Sequence, residues 1–310
     1  MICDIPTSAE FETAALNLLN LAWSIGIDIA TELDEAHGFG VELNKKETAD
    51  FWSLAQPALG NGFALVQQAQ EMALKGRIAA ISPFLLISGA PREWPSGSSK
   101  QDTSFARFRT IDAADLIKVL HTVCDLNGRL PTGFEEFFER VRLQRNAIVH
   151  AGGIGRQVEV TELLIGVLQT ARDLFPAKSW AKRRREYCEN DRIAITYSTD
   201  HVGYQVLREF GKAHGLLKPA ERQTYFGTTK ARLYSCPQCR ADADRIDEEI
   251  IALAQLRPNL PTSTQVYCFV CEEETAVERR QCTEEDCLSN VICADPNFEN
   301  ECLLCCCSQS

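Results

Sequence analysis

The spacing of apolar residues predicts helices through the first two-thirds of the chain. Thr7 and Glu10 match a capping box ahead of the first helical pattern. Pro57 and the run Gly60-Asn61-Gly62 predict an interruption or a kink in the second. Residues 91–104 are rich in Pro, Gly and Ser and therefore predict a loop. Helical periodicity recurs in residues 11–36, 47–75, 110–128, 134–150, 161–175, 178–190 and 200–215.

Polar and turn residues mark the ends of the later helices. Thr110 or Asp112 caps the helix that follows the loop, and Asn127-Gly128 closes it. Thr161 caps a helix with a clear apolar stripe, and residues 192–198 alternate well enough to form a strand or an extended linker. The stripe consists of Leu164, Val167, Leu168, Ala171 and Phe175.

Beyond about residue 216 the pattern becomes rich in turns and cysteines. One more helix, over residues 242–256, is predicted between two cysteine pairs. The predicted fold class is therefore mainly α: an antiparallel helical bundle followed by a small zinc-ribbon-like β/α module and a Cys-rich tail. The predicted domains are residues 1–215, with a core over 105–215, then residues 216–275, and then the acidic tail at 276–310.

Charge is unevenly distributed along the chain. The net charge is −11, but residues 272–301 alone hold ten acidic residues and two arginines. The rest of the chain, which we call the body, is therefore nearly neutral. A local basic patch on such a body can bind phosphate. One candidate patch for guiding RNA, with a solvated helix face as the alternative, consists of Lys178, Trp180, Lys182, Arg183, Arg184 and Arg185.

No signal for export or for membrane insertion stands out in the pattern. No apolar run approaches the roughly 20 residues that span a bilayer. Residues 1–12 lack a basic region followed by an apolar block. We therefore expect a cytoplasmic protein without a membrane partner.

Cysteine placement points to metal in the C-terminal quarter. Eleven of the fourteen cysteines follow residue 235, while Cys3, Cys124 and Cys188 are expected to be ordinary buried thiols. Without an export signal, a disulfide framework is a poor explanation. Two CxxC pairs, Cys236 with Cys239 and Cys268 with Cys271, supply four sulfurs for one tetrahedral zinc. A closed S4 shell has no open coordination position, so this zinc is predicted to be structural.

The tail carries a weaker cysteine pattern. A second S4 set consists of Cys282, Cys287, Cys302 and Cys305, with Cys293, Cys306 and Cys307 left over. The alternatives are an iron–sulfur cluster or a thiol-rich tail without metal. A tail of this kind also allows a zinc or thiol sensor that loses its metal on oxidation.

Polar residues of an unusual kind occur near the end of the 134–150 helix. Arg145 falls on an apolar stripe, at four residues after Val141 and three before Ile148. Asn146 and His150 are four residues apart and share an adjacent face, and the dipole of the helix end favours a charged imidazole. Arginine can stabilise a phosphate, and histidine can transfer protons to and from RNA oxygens without a metal.

The string LQRNAIVHAG at residues 143–152 resembles the motif of the HEPN superfamily, which is Arg, a polar residue that is commonly Asn, three further residues, and His. Arg145, Asn146 and His150 match that motif position by position. The resemblance implies an all-helical bundle, metal-independent endoribonuclease activity on RNA, and a homodimer through the motif helix. It also implies a bacterial toxin or antiviral defence role with a partner protein or antitoxin.

The expected function follows from this resemblance. Arg145 binds and polarises the phosphate, Asn146 orients the phosphate or the histidine, and His150 is the general acid or base. Members that carry a Tyr two residues after the His have a modification site there, and Gly152 occupies that position here. The alternatives are a non-catalytic dimeric module that binds nucleic acid or protein, or the zinc or thiol sensor.

Overall fold

The chain forms two compact units, Met1–Pro176 and Ala177–Ser310. Most of its ordered elements are helices, and a small antiparallel sheet lies in the second unit. The computed structural model describes residues 1–38, 44–95, 102–125, 129–150, 157–190, 201–228, 232–244, 251–298 and 300–309, except for the side chains of residues 35–38, 149, 150, 243 and 244.

The first unit is built from helices and one short strand pair. Its helices are α1 (Ser8–Gly38), α2 (Lys45–Ile81), α3 (Ala113–Val123), α4 (Phe134–His150) and α5 (Val160–Leu174). Strands β1 (Ile2–Cys3) and β2 (Thr103–Ser104) pair in parallel. Turns of 3-10 helix occur at Pro83–Leu86, Pro91–Glu93 and Phe105–Arg107.

Helix α2 lies at the centre of the first unit and contacts α1, α3, α4 and α5. Its apolar side chains meet a shared core in which Trp23, Leu74, Phe134 and Leu163 are fully buried. A long helix with this many neighbours is stabilised mainly by the apolar surface that it buries, because intrinsic helix propensity contributes little. This packing explains why α2 continues through Pro57, where an interruption or a kink was predicted.

Helix caps account for several boundaries of the first unit. The Thr7–Glu10 capping box is confirmed, since the Thr7 N–H donates to Glu10 Oε2 at 2.7 Å and the Glu10 N–H donates to Thr7 Oγ1 at 3.2 Å. Helix α5 begins after Glu159, so the prediction that Thr161 caps it is wrong by two residues. Helix α3 ends at Val123, before the predicted stop at Asn127-Gly128, and those two residues lie outside the described ranges.

The second unit combines short helices with a four-stranded sheet. Its helices are α6 (Trp180–Glu189), α7 (Val202–Leu216), α8 (Pro219–Phe226) and α9 (Pro237–Asp244). Its strands are β3 (Ala254–Leu256), β4 (Gln265–Cys268), β5 (Glu274–Glu278) and β6 (Ile292–Cys293), which pair antiparallel in that order. A 3-10 turn covers Pro296–Phe298.

Backbone hydrogen bonds close this sheet into a ring. Beyond β6, the Cys293 N–H donates to the Glu301 carbonyl at 2.7 Å. The Ser235 N–H then donates to the Leu303 carbonyl at 2.7 Å, and Tyr234 exchanges two bonds with Ala254 of β3. The segments 234–235 and 301–303 therefore join the two edges of the sheet, so both edge strands gain partners.

Two expectations for this part of the chain differ from the structure. The predicted 242–256 helix is wrong at its end, because Ala254–Leu256 is strand β3, held by β4 and Tyr234. The expected boundary at residue 215 falls inside the second unit, because α7 packs against both α6 and α9. The 192–198 segment, predicted as a strand or linker, lies outside the described residues.

Helix α1 has the composition of a membrane span. Among the described residues, its window over Ser8–Asp34 is the single helix long and apolar enough to cross a bilayer, with mean hydropathy 1.3. The apolar pattern does not predict such a span, because Asn17, Asn20 and Ser24 interrupt it. Half of the window is buried against the rest of the first unit, which is what a core helix requires.

Candidate functional site

The helix that carries the Arg-Asn-His motif begins after a tight turn and ends at the motif histidine. Gly133, with φ +84, makes the turn that precedes Phe134. The buried stripe of α4 continues from Val141 through Gln144, whose amide donates to Glu162 of α5 at 3.3 Å. Arg145 is therefore half-buried at the border of that stripe, and the expectation that it lies on the stripe is correct only in part.

Arg145 and Asn146 contact each other at the last turns of α4. Arg145 Nη1 donates to Asn146 Oδ1 at 3.1 Å, and among the described residues no carboxylate pairs with this guanidinium. The neighbouring Arg142, by contrast, forms two hydrogen bonds with Glu139, at 2.7 and 2.8 Å. His150 closes the helix, and its side chain lies outside what the structure describes.

A groove of about 980 Å³ runs between α3 and α4 beside this motif. Gln144 and Ala147 line it, whereas Arg145 and Asn146 do not. Three of its lining side chains are acidic and two are basic, so it is not a basic channel for RNA. The charged residues are Glu135, Glu136 and Glu139, with Lys118 and Arg140.

The predicted basic patch is not a continuous exposed surface. Trp180 is 6% exposed and Arg184 is 4% exposed, and Arg184 forms two hydrogen bonds with Glu209, at 2.7 and 2.8 Å. Arg185 lies 3.8 Å from Asp242. Exposed positive charge in this segment belongs to Lys178 and Lys182, and Lys178 pairs with Glu186 at 2.6 Å. The prediction that Trp180 and Arg184 guide RNA is therefore wrong, because both side chains lie on the buried side of α6.

The two CxxC pairs meet in the second unit. Cys236 immediately precedes α9 and Cys239 lies in its first turn, while Cys268 ends β4 and Cys271 lies in the turn that follows. That turn is closed by the Glu272 N–H, which donates to the Cys268 carbonyl at 2.9 Å. The four sulfurs lie within 4.8 Å of one another, and we call them site 1.

The tail cysteines form a second cluster of the same kind, which we call site 2. It holds Cys282, Cys287, Cys302 and Cys305, the set expected from the sequence, again within 4.8 Å. Three of the four are buried, and Ile292 and Leu304 pack against them. Both four-cysteine clusters could hold a metal ion.

The spacing of the sulfurs fits a tetrahedral metal. A metal–sulfur bond of about 2.3 Å places two sulfurs of a tetrahedron about 3.8 Å apart. In site 1, Cys236 Sγ lies 3.5 Å from Cys271 Sγ, and Cys239 Sγ lies 3.8 Å from Cys268 Sγ. In site 2, Cys282 Sγ lies 3.7 Å from Cys305 Sγ, and Cys287 Sγ lies 3.8 Å from Cys302 Sγ.

Close sulfurs also perturb one another's protonation. Contact with Cys236 raises the pKa of Cys239 and lowers the pKa of Cys271. Four thiolates at this distance repel each other unless a cation neutralises them. A bound metal ion supplies that charge and displaces the protons.

Aromatic rings support the second CxxC turn. Phe269, inside that turn, stacks on Phe226 with ring centres 5.0 Å apart and on His214 at 5.7 Å. His214 Nε2 also lies 3.2 Å from Thr228 Oγ1. Burial, together with the charge of Arg222, lowers the pKa of His214 to about 4. A neutral imidazole therefore packs against the metal-binding turn at neutral pH.

Sequence reasoning missed the ion pair beside the clusters. Arg240 follows Cys239, and its guanidinium forms two hydrogen bonds with the Glu301 carboxylate, one of them at 2.9 Å. Glu301 in turn precedes Cys302. The sequence does place two residues of opposite charge directly beside ligands of the two predicted sites. No spacing rule connects positions that are 61 residues apart, so the sequence alone does not pair them.

Comparisons with protein-family models, with curated protein sequences and with solved structures find no match to this chain. The chain is therefore defined by its own features: a mainly helical first unit, and a second unit with a small antiparallel sheet and two four-cysteine clusters. The resemblance to the HEPN superfamily depends on the motif at Arg145, Asn146 and His150.

Proposed function

We propose that this chain is a metal-independent endoribonuclease of the HEPN type whose second unit is stabilised by two structural zinc ions. The observation that carries the proposal is the end of α4. There, Arg145 contacts Asn146, has no carboxylate partner among the described residues, and precedes the terminal His150 by five positions. The helical character of the first unit agrees with the motif's usual setting.

The chemistry assigned to these residues is transesterification at phosphorus. The RNA 2′-oxygen attacks the adjacent phosphorus and the bond to the 5′-oxygen breaks, which leaves a 2′,3′-cyclic phosphate and a free 5′-hydroxyl. Arg145 donates to a nonbridging oxygen and stabilises the charge that develops there. Asn146 accepts from Arg145 and fixes the direction of the guanidinium. His150 transfers a proton from the 2′-hydroxyl or to the 5′-oxygen.

One imidazole cannot serve both proton transfers at once, so a second copy is part of the proposal. A homodimer through α4 brings a second motif to the same phosphate. We propose a cytoplasmic enzyme that acts in bacterial defence or as a toxin, under the control of a partner protein or an antitoxin.

Zinc is assigned to site 1 and site 2 by their donor chemistry. Four thiolates in a tetrahedron suit zinc, and iron is the alternative for such a set. Zinc in a closed S4 shell supplies folding free energy and binds no substrate. The reaction therefore needs only side chains of the first unit.

The test is cleavage of RNA by the purified chain in a brief assay with EDTA. We expect products that end in 2′,3′-cyclic phosphate. His150→Ala should reduce the rate by about 10²- to 10⁴-fold, and Arg145→Ala by about 10²- to 10³-fold. Both variants should keep the circular dichroism spectrum of the wild type.

Two control variants match these changes in residue type and location. His121→Ala removes an exposed histidine of α3, and Arg142→Ala removes an arginine one turn before Arg145 that is already paired with Glu139. Both should cleave at the wild-type rate. Cleavage by His150→Ala at that same rate would contradict the catalytic assignment.

A non-catalytic binding module is the second candidate, and the acidic side chains of the α3–α4 groove favour it. Glu135 and Glu136 repel RNA phosphates there and suit a basic protein segment, whereas Glu139 is already paired with Arg142. Intact RNA after prolonged incubation with the zinc-loaded protein, in the presence and absence of Mg²⁺, supports this candidate over the enzyme.

A further inference from the structure

The segment 300–309 connects the two metal sites. Cys302 and Cys305, two ligands of site 2, lie in the segment 300–309, and Leu303 lies between them. The Leu303 carbonyl accepts from the Ser235 N–H at 2.7 Å, and Ser235 is the residue before the site 1 ligand Cys236. In addition, Cys306 Sγ donates to Ser235 Oγ at 3.3 Å.

A partly buried ion pair makes a second connection between the same two sites. Arg240 is the residue after the site 1 ligand Cys239, and Glu301 is the residue before the site 2 ligand Cys302. Their side chains are 19% and 18% exposed, so solvent screens this pair less than a surface pair. Arg240 Nη1 also donates to the Cys306 carbonyl at 3.4 Å, next to the ligand Cys305.

We infer that site 1 and site 2 are thermodynamically coupled, so that a metal ion in either site raises the affinity of the other through Ser235–Leu303 and Arg240–Glu301. This inference depends on the metal binding that we propose, and it is independent of the ribonuclease assignment. The sites then fill together as one binuclear unit, although no cysteine is shared between them.

The physical basis is preorganisation. A metal in site 1 fixes the backbone at 236 and 239, and therefore fixes the N–H of Ser235 and the guanidinium of Arg240. These two groups hold residues 301–306 in the arrangement that places Cys302 and Cys305 at site 2. The second ion then binds to a segment that is already ordered, so its binding free energy no longer includes the entropy cost of ordering that segment. Thermodynamic linkage requires that each ion raise the affinity for the other by the same factor.

Cobalt binding to the full-length apoprotein measures this coupling. Tetrahedral thiolate coordination of Co²⁺ gives characteristic visible bands, and competition with Zn²⁺ converts them to zinc affinities. Cys282→Ser/Cys287→Ser leaves site 1 alone, and Cys236→Ser/Cys239→Ser leaves site 2 alone. We expect each isolated site to bind metal at least about tenfold more weakly than in the intact protein, within the usual range for allosteric coupling.

The ion pair is tested in the protein that has both sites. Arg240→Met, Glu301→Gln and the double variant should each reduce the cooperativity, and the double variant should lose no more than the single ones. The control is Arg257→Met, because Arg257 lies over the Tyr267 ring and pairs with Glu274, so these contacts are with β4 and β5 and not with the segment 300–309. Its cooperativity should equal that of the wild type.

The other outcomes separate the coupling from the metal assignment. Two ions that bind independently, with single-site variants of wild-type affinity, overturn the coupling and leave the zinc assignment intact. Binding of no ion, or of one ion, overturns both. Release kinetics give a check that needs no variant, since a chelator should remove both ions from the wild type in one phase, and two unequal phases contradict the coupling.

Discussion

His214 shows how a single side chain makes the second unit sensitive to acid. Its ring lies against Phe226 and Phe269, at 6.0 and 5.7 Å between ring centres, and its environment favours the neutral imidazole. Burial and the nearby charge of Arg222 lower its pKa from 6.5 to about 4. The unfolded chain binds a proton near pH 6.5, whereas the folded chain does so only near pH 4.

Stability should therefore fall as the pH is lowered through this window. The stabilising contribution of His214 is complete above pH 6.5 and is lost as the pH falls towards 4. The imidazole is partly exposed, so we expect a loss of about 1 to 2 kcal/mol, less than the shift alone implies. His214→Phe keeps the aromatic packing and removes the titration. Denaturant unfolding at pH 7.5 and pH 5 should show a smaller loss of unfolding free energy for the variant than for the wild type. Equal losses would exclude His214 as the source of the acid sensitivity.

Arg184 illustrates why residue type alone gave a wrong prediction of an exposed basic surface on α6. Consecutive basic residues at 182–185 look like a solvated or RNA-binding face, yet Arg184 is buried with Glu209. Its partner lies 25 residues away, on α7, and no local pattern identifies it. Arg184 is thus buried on the same side of α6 as Trp180, Ala181 and Cys188, and Lys178 and Lys182 remain exposed.

At the scale of elements, small residues determine how closely the helices of the first unit approach each other. A Cβ placed on Gly62 of α2 would lie 2.7 Å from Leu163 Cδ2 of α5, and one on Gly26 of α1 would lie 2.9 Å from Leu164 Cδ2. Leu163 and Leu164 are fully buried, so neither can move aside without disturbing the core.

Two matched glycine substitutions test this packing. Gly62→Ala should lower the free energy of unfolding by about 1 to 2 kcal/mol, because overpacking exceeds the gain in helix propensity. Gly166→Ala, in α5, places its Cβ 3.4 Å from Val66 Cγ1, an ordinary contact, and should raise that free energy by up to about 1 kcal/mol. Denaturant unfolding monitored by circular dichroism measures both. Equal effects of the two substitutions would contradict close α2–α5 packing at Gly62.

The periodicity of apolar residues predicted most helices, but it could not predict which distant elements each segment contacts. The stripe of α5 is buried as expected, because that pattern is local. Pro57 does not interrupt α2, since contacts with four other helices outweigh a missing hydrogen bond. The segment Ala254–Leu256 has a helical pattern but becomes a strand, because β4 and Tyr234 offer it backbone partners. The site 2 cysteines were predictable, whereas the Arg240–Glu301 pair required the fold.

At the scale of the whole molecule, the two units are stabilised by different means. The first unit has an apolar helical core, and the four-cysteine clusters found among the described residues lie in the second. There, a ring of short strands joins both metal sites, and each strand has at most five residues. Each of these short strands contributes few backbone hydrogen bonds, so we expect metal to supply much of the folding free energy of this part.

Removal of metal should therefore affect the two units unequally. With a strong chelator and a reductant present, amide hydrogens over residues 232–309 should exchange rapidly, because the ring opens when the thiolates lose their cation. Amides of α1, α2 and α5 should keep their protection, because no metal ligand contributes to that core. Hydrogen exchange followed by mass spectrometry on the intact chain gives both readings in one experiment, and re-addition of Zn²⁺ should restore protection in 232–309. Loss of protection in α2 together with the strands would mean that the two units unfold as one. Unchanged protection in the strands would mean that the metal does not hold the ring of strands closed.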